Sequence, residues 1–233
     1  MRQRKYKYFK NSFSLTKIHI FDKNHSPIHM LFDDIYKTVE TTGQGLYKEK
    51  GSKFISYAFP VVTEVDVKRE LEMLRNKYHD ARHHCYAYVM GFDKNASRAN
   101  DDGEPSGTAG RPILGQIASA DLTNTLIVVI RYFGGIKLGV SGLIQAYRIA
   151  AREAIEESSI ISRIVSDVYE LEFAYTTMND VMRIIKEESC TILSTQFDLE
   201  NKITIMVRKR NSNLVYEKFI KLNTLTIKYL ETI

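Results

Sequence analysis

The stretch Thr125-Leu126-Ile127-Val128-Val129-Ile130 is a continuous run rich in β-branched side chains, with no charged residue in it. Such side chains lose rotamer freedom in a helix and pack well on a pleated surface, so the run predicts a strand. A half-buried strand alternates apolar with polar residues. This one does not, and is expected at the centre of a sheet covered on both faces. Further strands are expected over residues 53–61, ended by Pro60, and over 84–90, closed by Gly91. Val67, Leu71, Leu74 and Tyr78 recur at helical spacing after Thr63, a suitable N-cap. Pro112 suits the first turn of a short helix through Ile113, Leu114, Ile117 and Ala118. The longest helix is expected over 140–157. Its face of Leu143, Ala146, Tyr147, Ala150, Ala151 and Ala154 is small enough to lie close against a sheet.

Between the strand at 84–90 and the central run lies Asp101-Asp102-Gly103-Glu104-Pro105-Ser106-Gly107-Thr108-Ala109-Gly110-Arg111-Pro112. It cannot form an apolar helix or strand. So long and polar a loop inside a compact domain points to function. Asp101, Asp102 and Glu104 suit a hard cation such as magnesium. The N–H groups of residues 106–110, with Ser106, Gly107, Thr108 and Gly110, suit a phosphate near a helix N-terminus. The spacing matches neither a Walker loop nor a dinucleotide fingerprint. The competing reading is a solvated loop whose acids cap turns.

Two other groups stand beside it. In Arg82-His83-His84 the adjacent histidines point to opposite faces of a strand and do not readily share a metal. Arg82 is the better partner for an anion or carboxylate. Arg131-Tyr132-Phe133-Gly134-Gly135-Ile136-Lys137-Leu138-Gly139 follows the central strand and precedes a helix, a place where ligands collect in α/β folds. Gly134 and Gly135 allow close backbone approach, and Arg131 with Lys137 supplies positive charge. Tyr132 and Phe133 could stack on a base, although core packing is the commoner fate of aromatics. The candidate ligand set is therefore Arg82, His84, Asp101, Asp102, Glu104, Ser106, Gly107, Thr108, Gly110, Arg131, Gly134, Gly135 and Lys137. No metal, cofactor or catalytic residue is assigned. A nucleophile elbow, HExxH, kinase motifs and CxxC are all lacking, and Ser106 has no base that the sequence can assign to it. A triad is defined by geometry and not by order, so a hydrolase stays open.

The pI of about 9.0 invites a nucleic-acid partner, but the charge is unevenly placed. Residues 1–29 carry seven bases and one acid, +6 of the total +5, so residues 30–233 carry −1. Net charge thus gives no broad basic face to the folded body, while a local patch remains open. Cys85 and Cys190 stand apart and form neither a zinc cluster nor a disulfide framework; buried thiols in a reducing cytosol fit them. No run approaches the ~18 apolar residues of a membrane span, so no membrane partner is expected. Residues 1–29 are basic and poor in acids, as transit peptides are, but lack the apolar core and cleavage site of a secretory signal. Alternatively they are an extension upstream of a start at Met30.

Residues 158–163 read as a linker. Beyond it come a strand at 166–174 and a helix at 177–188 with Met178, Val181, Met182 and Ile185. Strands at 190–199 and 202–208 follow, joined by Glu200-Asn201. A helix at 211–222 with Leu214, Val215, Phe219 and Leu222 precedes a last strand at 224–230. This β-α-β-β-α-β order is that of a ferredoxin-like domain.

Tyr47-Lys48-Glu49-Lys50-Gly51-Ser52-Lys53-Phe54-Ile55, Ala81-Arg82-His83-His84-Cys85-Tyr86-Ala87-Tyr88, the 101–112 loop and Val129-Ile130 with the Arg131–Gly139 stretch together resemble the YigZ/IMPACT family. The resemblance is strong over residues 45–157. It implies an α+β protein of two domains. Residues 30–157 would form an Impact-type βαβ domain like the second domain of small-subunit ribosomal protein five. Residues 164–233 would form a ferredoxin-like domain resembling the last domain of elongation factor G. Both folds recur in translation proteins. Eukaryotic relatives regulate translation initiation through a ribosome-associated partner, but they carry an accessory domain that has no counterpart here. The family's Gly-Gly-Leu before the long helix is Ser141-Gly142-Leu143 in this chain. The first expectation is a non-enzymatic cytoplasmic regulator touching RNA, the ribosome or a translation factor. The alternatives are a nucleotide- or phosphate-binding protein or hydrolase using the loop, and a protein-interaction module using the ferredoxin-like domain.

Overall fold

The computed structural model describes residues 34–197 and 201–233. The basic extension over 1–29 and the turn residue Glu200 lie outside the described residues. In chain order the elements are β1 (Ile35–Val39), β2 (Gly43–Glu49), β3 (Ser52–Pro60), α1 (Glu64–Lys77), β4 (His83–Met90), β5 (Ala96–Asn100), α2 (Gly110–Ser119), β6 (Thr125–Tyr132) and α3 (Gly139–Glu156). They continue as β7 (Ile160–Ile164), β8 (Ser166–Phe173), α4 (Met178–Glu187), β9 (Thr191–Phe197), β10 (Asn201–Arg208), α5 (Ser212–Ile220) and β11 (Leu225–Thr232).

The central run forms β6, in the middle of a sheet ordered β2-β3-β6-β4-β5 with antiparallel neighbours. Every residue from Thr125 to Ile130 is fully buried. Successive side chains go to opposite faces. Ile127 and Val129 pack with Ile113 and Ile117 of α2 and with Tyr147, Ala150 and Ala154 of α3. Leu126, Val128 and Ile130 pack with Val67, Leu71 and Leu74 of α1 and with Tyr57, Tyr86 and Tyr88. Thr63 starts α1 with a capping box: its hydroxyl accepts from Asp66 N–H, and the Asp66 carboxylate accepts from Thr63 N–H.

The second sheet runs β11-β8-β10-β9, again antiparallel, and its elements follow the β-α-β-β-α-β order. α4 and α5 cover one face, where Leu171, Phe173, Ile203, Ile205, Val181, Ile184, Val215 and Phe219 form a core. Strand alternation puts Glu170, Glu172, Lys202 and Thr204 on the other face. There Lys202 Nζ lies 3.4 Å from Glu172 Oε2.

Several details differ from the sequence reading. β1, β2 and β5 were not expected, and β7 occupies most of the stretch read as a linker. β7 pairs antiparallel with β1, Ile160 opposite Val39, across more than a hundred residues of chain. Such a partner cannot be seen from local pattern. Met182 and Leu214, expected on apolar helix faces, are exposed. The apolar stripe of α4 runs through Val181, Ile184 and Ile185 instead. Among the described residues no helix is long and apolar enough to cross a membrane.

Buried carboxylates tie the pieces together. Asp34, which immediately precedes β1, accepts from Arg208 Nε at 2.7 Å and Nη2 at 2.8 Å, and from Arg210 N–H at 3.3 Å. The Arg208 bond, against the opposing effect of burial, holds the Asp34 carboxyl below its ordinary range. Asp167 accepts from Lys209 Nζ, Ser212 Oγ and Thr232 Oγ1 at 2.6–3.0 Å. Burial pushes its carboxyl up, but these donors outweigh that and leave it low.

Candidate functional site

The motifs meet at one end of the five-stranded sheet. Register pairs Lys53 with Tyr132, Phe54 and His83 with Arg131, and Tyr86 with Asn100, the last residue of β5. The β2–β3 turn, the segment entering β4, the 101–109 loop and the turn after β6 therefore leave the sheet together.

The loop is organised from within. Asp101 Oδ1 accepts from the N–H groups of Ala109 at 3.0 Å and Gly110 at 2.8 Å, and its Oδ2 from Gly107 at 2.8 Å. Burial raises the Asp101 carboxyl, but the three donors more than offset it and hold it below the usual carboxylate range. Thr108 N–H and Oγ1 both donate to Pro105 O. Three of the five N–H groups expected to cradle a phosphate, those of Gly107, Ala109 and Gly110, thus already hold the chain's own carboxylate, at the start of α2. Ser106 is exposed.

The other two acids turn elsewhere. Asp102 Oδ2 accepts from His84 N–H at 2.6 Å, and its carbonyl lies 2.8 Å from His83 Nδ1. Glu104 Oε1 accepts from Arg131 Nη1 at 2.6 Å and from Tyr147 OH at 2.8 Å. With three carboxylates committed to three separate sets of donors, they do not converge on a cation. Among the described residues no group of His, Cys, Asp and Glu could hold a metal ion. Cys85 Sγ lies 3.0 Å from Asp101 O and 3.3 Å from Tyr147 OH. Burial pushes both the Cys85 thiol and the Tyr147 phenol far up, so both stay protonated.

Arg131 is nearly fully buried. Its guanidinium lies between two rings, 5.5 Å from the Phe54 centroid and 5.6 Å from the Phe133 centroid, and its Nε has no partner. His84 is buried too, but strand alternation puts it with Tyr86 on the α1 face, opposite Arg131. Burial disfavours its charged form, and its Nε2 is unpaired. His84 and Arg131 therefore do not face one ligand. Gly134 fits only because the β2–β3 turn lies against it: a Cβ there would stand 1.9 Å from Gly51 C and 2.2 Å from Ser52 N. Gly135 takes a positive φ of 87° in open space.

Bases outnumber acids on the remaining surface, where Asp80 is exposed and Glu49 half-buried. Lys48, Lys50, Lys53, Arg82, Arg111 and Lys137 are exposed, and none makes an ion pair or side-chain hydrogen bond among the described residues. The acids of the same segments are all engaged. Besides the three in the loop, Glu49 accepts from Tyr47 OH at 3.1 Å and Asp80 from Tyr132 OH at 2.6 Å. The Asp80 bond, with burial, pushes the Tyr132 phenol up to about 12. Of the expected ligand set only Arg82 and Lys137 belong to this free basic surface. Lys48, Lys50, Lys53 and Arg111 were missed. They are visible in the motifs, but charge counted over a whole domain hides them.

The Impact N-terminal domain family matches residues 50–155. The chain is 31% identical to the IMPACT family member YvyE of Bacillus subtilis over 182 residues, 78% of this chain and 84% of that one. It is also 31% identical to the IMPACT family member YigZ of Escherichia coli over 150 residues, 64% of this chain and 74% of that one. Against a Protein IMPACT homolog of Dictyostelium discoideum the identity is 36% over 102 residues, but only 29% of that protein is covered. A crystal structure described as a hypothetical protein superposes with a TM-score of 0.63 at 26% identity, covering 85% of this chain and 98% of that one.

Proposed function

The chain belongs to the IMPACT family, and from that premise we propose that it is a non-enzymatic regulator linked to translation, whose basic sheet end grips the phosphate backbone of RNA. One observation carries this reading. Six exposed bases stand at that end and none of them makes an ion pair among the described residues, because the five acids of the same segments take their hydrogen bonds elsewhere within the chain. A local cluster of unpaired Lys and Arg is the electrostatic footprint of a nucleic-acid site. The translation link rests on the family resemblance, and it carries a cytoplasmic location with it. On this reading residues 30–157 are an Impact-type unit like the second domain of ribosomal protein five. Residues 164–233 are a ferredoxin-like unit like the last domain of elongation factor G. The free face of the second sheet offers RNA less: its Lys202 is paired with Glu172. A reaction at the loop has little to work with, since its three carboxylates and the N–H groups of residues 107–110 are already bonded.

Fluorescence anisotropy with a single-stranded RNA oligomer over a salt series tests the proposal. Each neutralised phosphate contributes about −0.7 to the slope of log K against log salt. Replacing Lys48, Lys53 and Lys137 together by Ala is expected to flatten that slope by about 2. Absence of binding at low salt, or an unchanged slope in the triple variant, would overturn the reading.

A further inference from the structure

We propose that Phe133 is a stacking platform for an unpaired base, which makes the ligand of this end of the sheet single-stranded RNA and not duplex. The inference rests on the basic-end reading and adds to it a chemical class and a contact residue. A single exposed phenylalanine is ordinary on a protein surface. Phe133 differs in how it is held. The residue is 57% exposed, yet a buried cation lies against its ring, the Arg131 guanidinium at 5.6 Å. That cation cannot drift, because Phe54 lies at 5.5 Å from it and Glu104 Oε1 at 2.6 Å from its Nη1. Glu104 is fixed in turn by the Tyr147 hydroxyl at 2.8 Å. Directly after the ring, Gly134 is seated against the β2–β3 turn, with its N–H donating to Ser52 Oγ at 3.2 Å. An aromatic ring backed in this way is pre-organised, and stacking on it costs little conformational freedom.

The surroundings select the partner. The β2–β3 turn that lies against Gly134 carries Lys50, and Lys137 lies four residues beyond the ring, so exposed cations stand on the two segments next to it. Stacking rings interleaved with cations that follow a backbone are the general design of single-strand binding surfaces. A duplex keeps its bases stacked on one another and offers a protein ring mainly its backbone and groove edges. An acidic protein segment would satisfy the lysines but has no use for a rigid exposed ring.

The chain contains no tryptophan, so Phe133→Trp places a single indole reporter at the platform. Titrating that variant with a single-stranded RNA oligomer is expected to quench its emission, and the same RNA as a duplex, or poly-glutamate, is not. In anisotropy, Phe133→Ala is expected to weaken single-strand binding about five- to a hundred-fold with the duplex unaffected and the salt slope retained. Unquenched emission with bound single strand would overturn the inference, as would equal weakening of single strand and duplex, or quenching by poly-glutamate as strong as by RNA. Wild-type affinity in Phe133→Ala, alongside weakened binding in the lysine variant, would overturn the platform alone and leave the basic-end reading standing. No binding of any RNA at low salt would instead remove the reading on which it rests.

Discussion

A single carboxylate, Asp101, satisfies three backbone N–H groups that lie six, eight and nine residues further along the chain. Two of them stand at the N-terminal end of α2, where no other cap exists. Asp101→Ala would leave these part-buried donors unpaired, at about 1–3 kcal/mol each. We therefore expect a loss of about 3 kcal/mol or more in chemical denaturation, with Asp101→Asn recovering part of it. The reading of the loop acids as turn caps was available from composition. Which N–H groups they take was not, because the loop must first fold back on itself. The same holds for Glu104. Its meeting with Arg131 and Tyr147 joins three segments that only the sheet and α3 bring together.

At the scale of elements, apolar periodicity located β6, β3, β4 and the helices α1 to α5 of the described residues, since each carries its own pattern. β2 and β5 escaped because they are edge strands: their solvent-side residues are polar or small, and glycines dilute β2. The contact between the β2–β3 turn and the turn after β6 is the joint that shapes the basic end. A methyl at Gly134 would collide with backbone, which cannot move aside as a flexible side chain can. A methyl at Gly135 would meet nothing, so its cost is the left-handed backbone alone, about 1–2 kcal/mol. Denaturation midpoints should therefore fall further for Gly134→Ala than for Gly135→Ala. Comparable losses would show that the two turns do not bear on one another.

For the whole molecule, net charge excludes a broad basic face but leaves a local patch open, and local placement has to be read from the fold. Residues 30–233 carry −1, yet six exposed bases gather at one end of the first sheet, beside the exposed Asp80 and the half-buried Glu49. The second sheet is joined to β1 through Asp34 and Arg208. The Arg208 bond holds Asp34 below its unfolded value of about 3.9. Its contribution to stability is thus complete above about pH 4 and is lost as pH falls through the folded value. Asp101 and Asp167 act in the same direction. Thermal unfolding followed from neutral to acid pH should show the midpoint falling below about pH 4. Asp34→Asn should be less stable at neutral pH and lose less on acidification. Its cost should stay under the about 3–5 kcal/mol of a fully buried pair, because Arg208 retains access to water.

The β1–β7 ribbon has a consequence for the order in which the protein is made. β1 leaves the ribosome first, but β7 follows only after the whole five-stranded sheet and α3 have been synthesised. At about 5–20 residues per second, β1 waits on the order of ten seconds for its partner. Its inner residues Thr38 and Val39, buried in the finished fold, are uncovered on that side until then. The ribbon cannot close before β7 is made, and the attachment of the second sheet through Asp34 waits longer still, for Arg208 of β10.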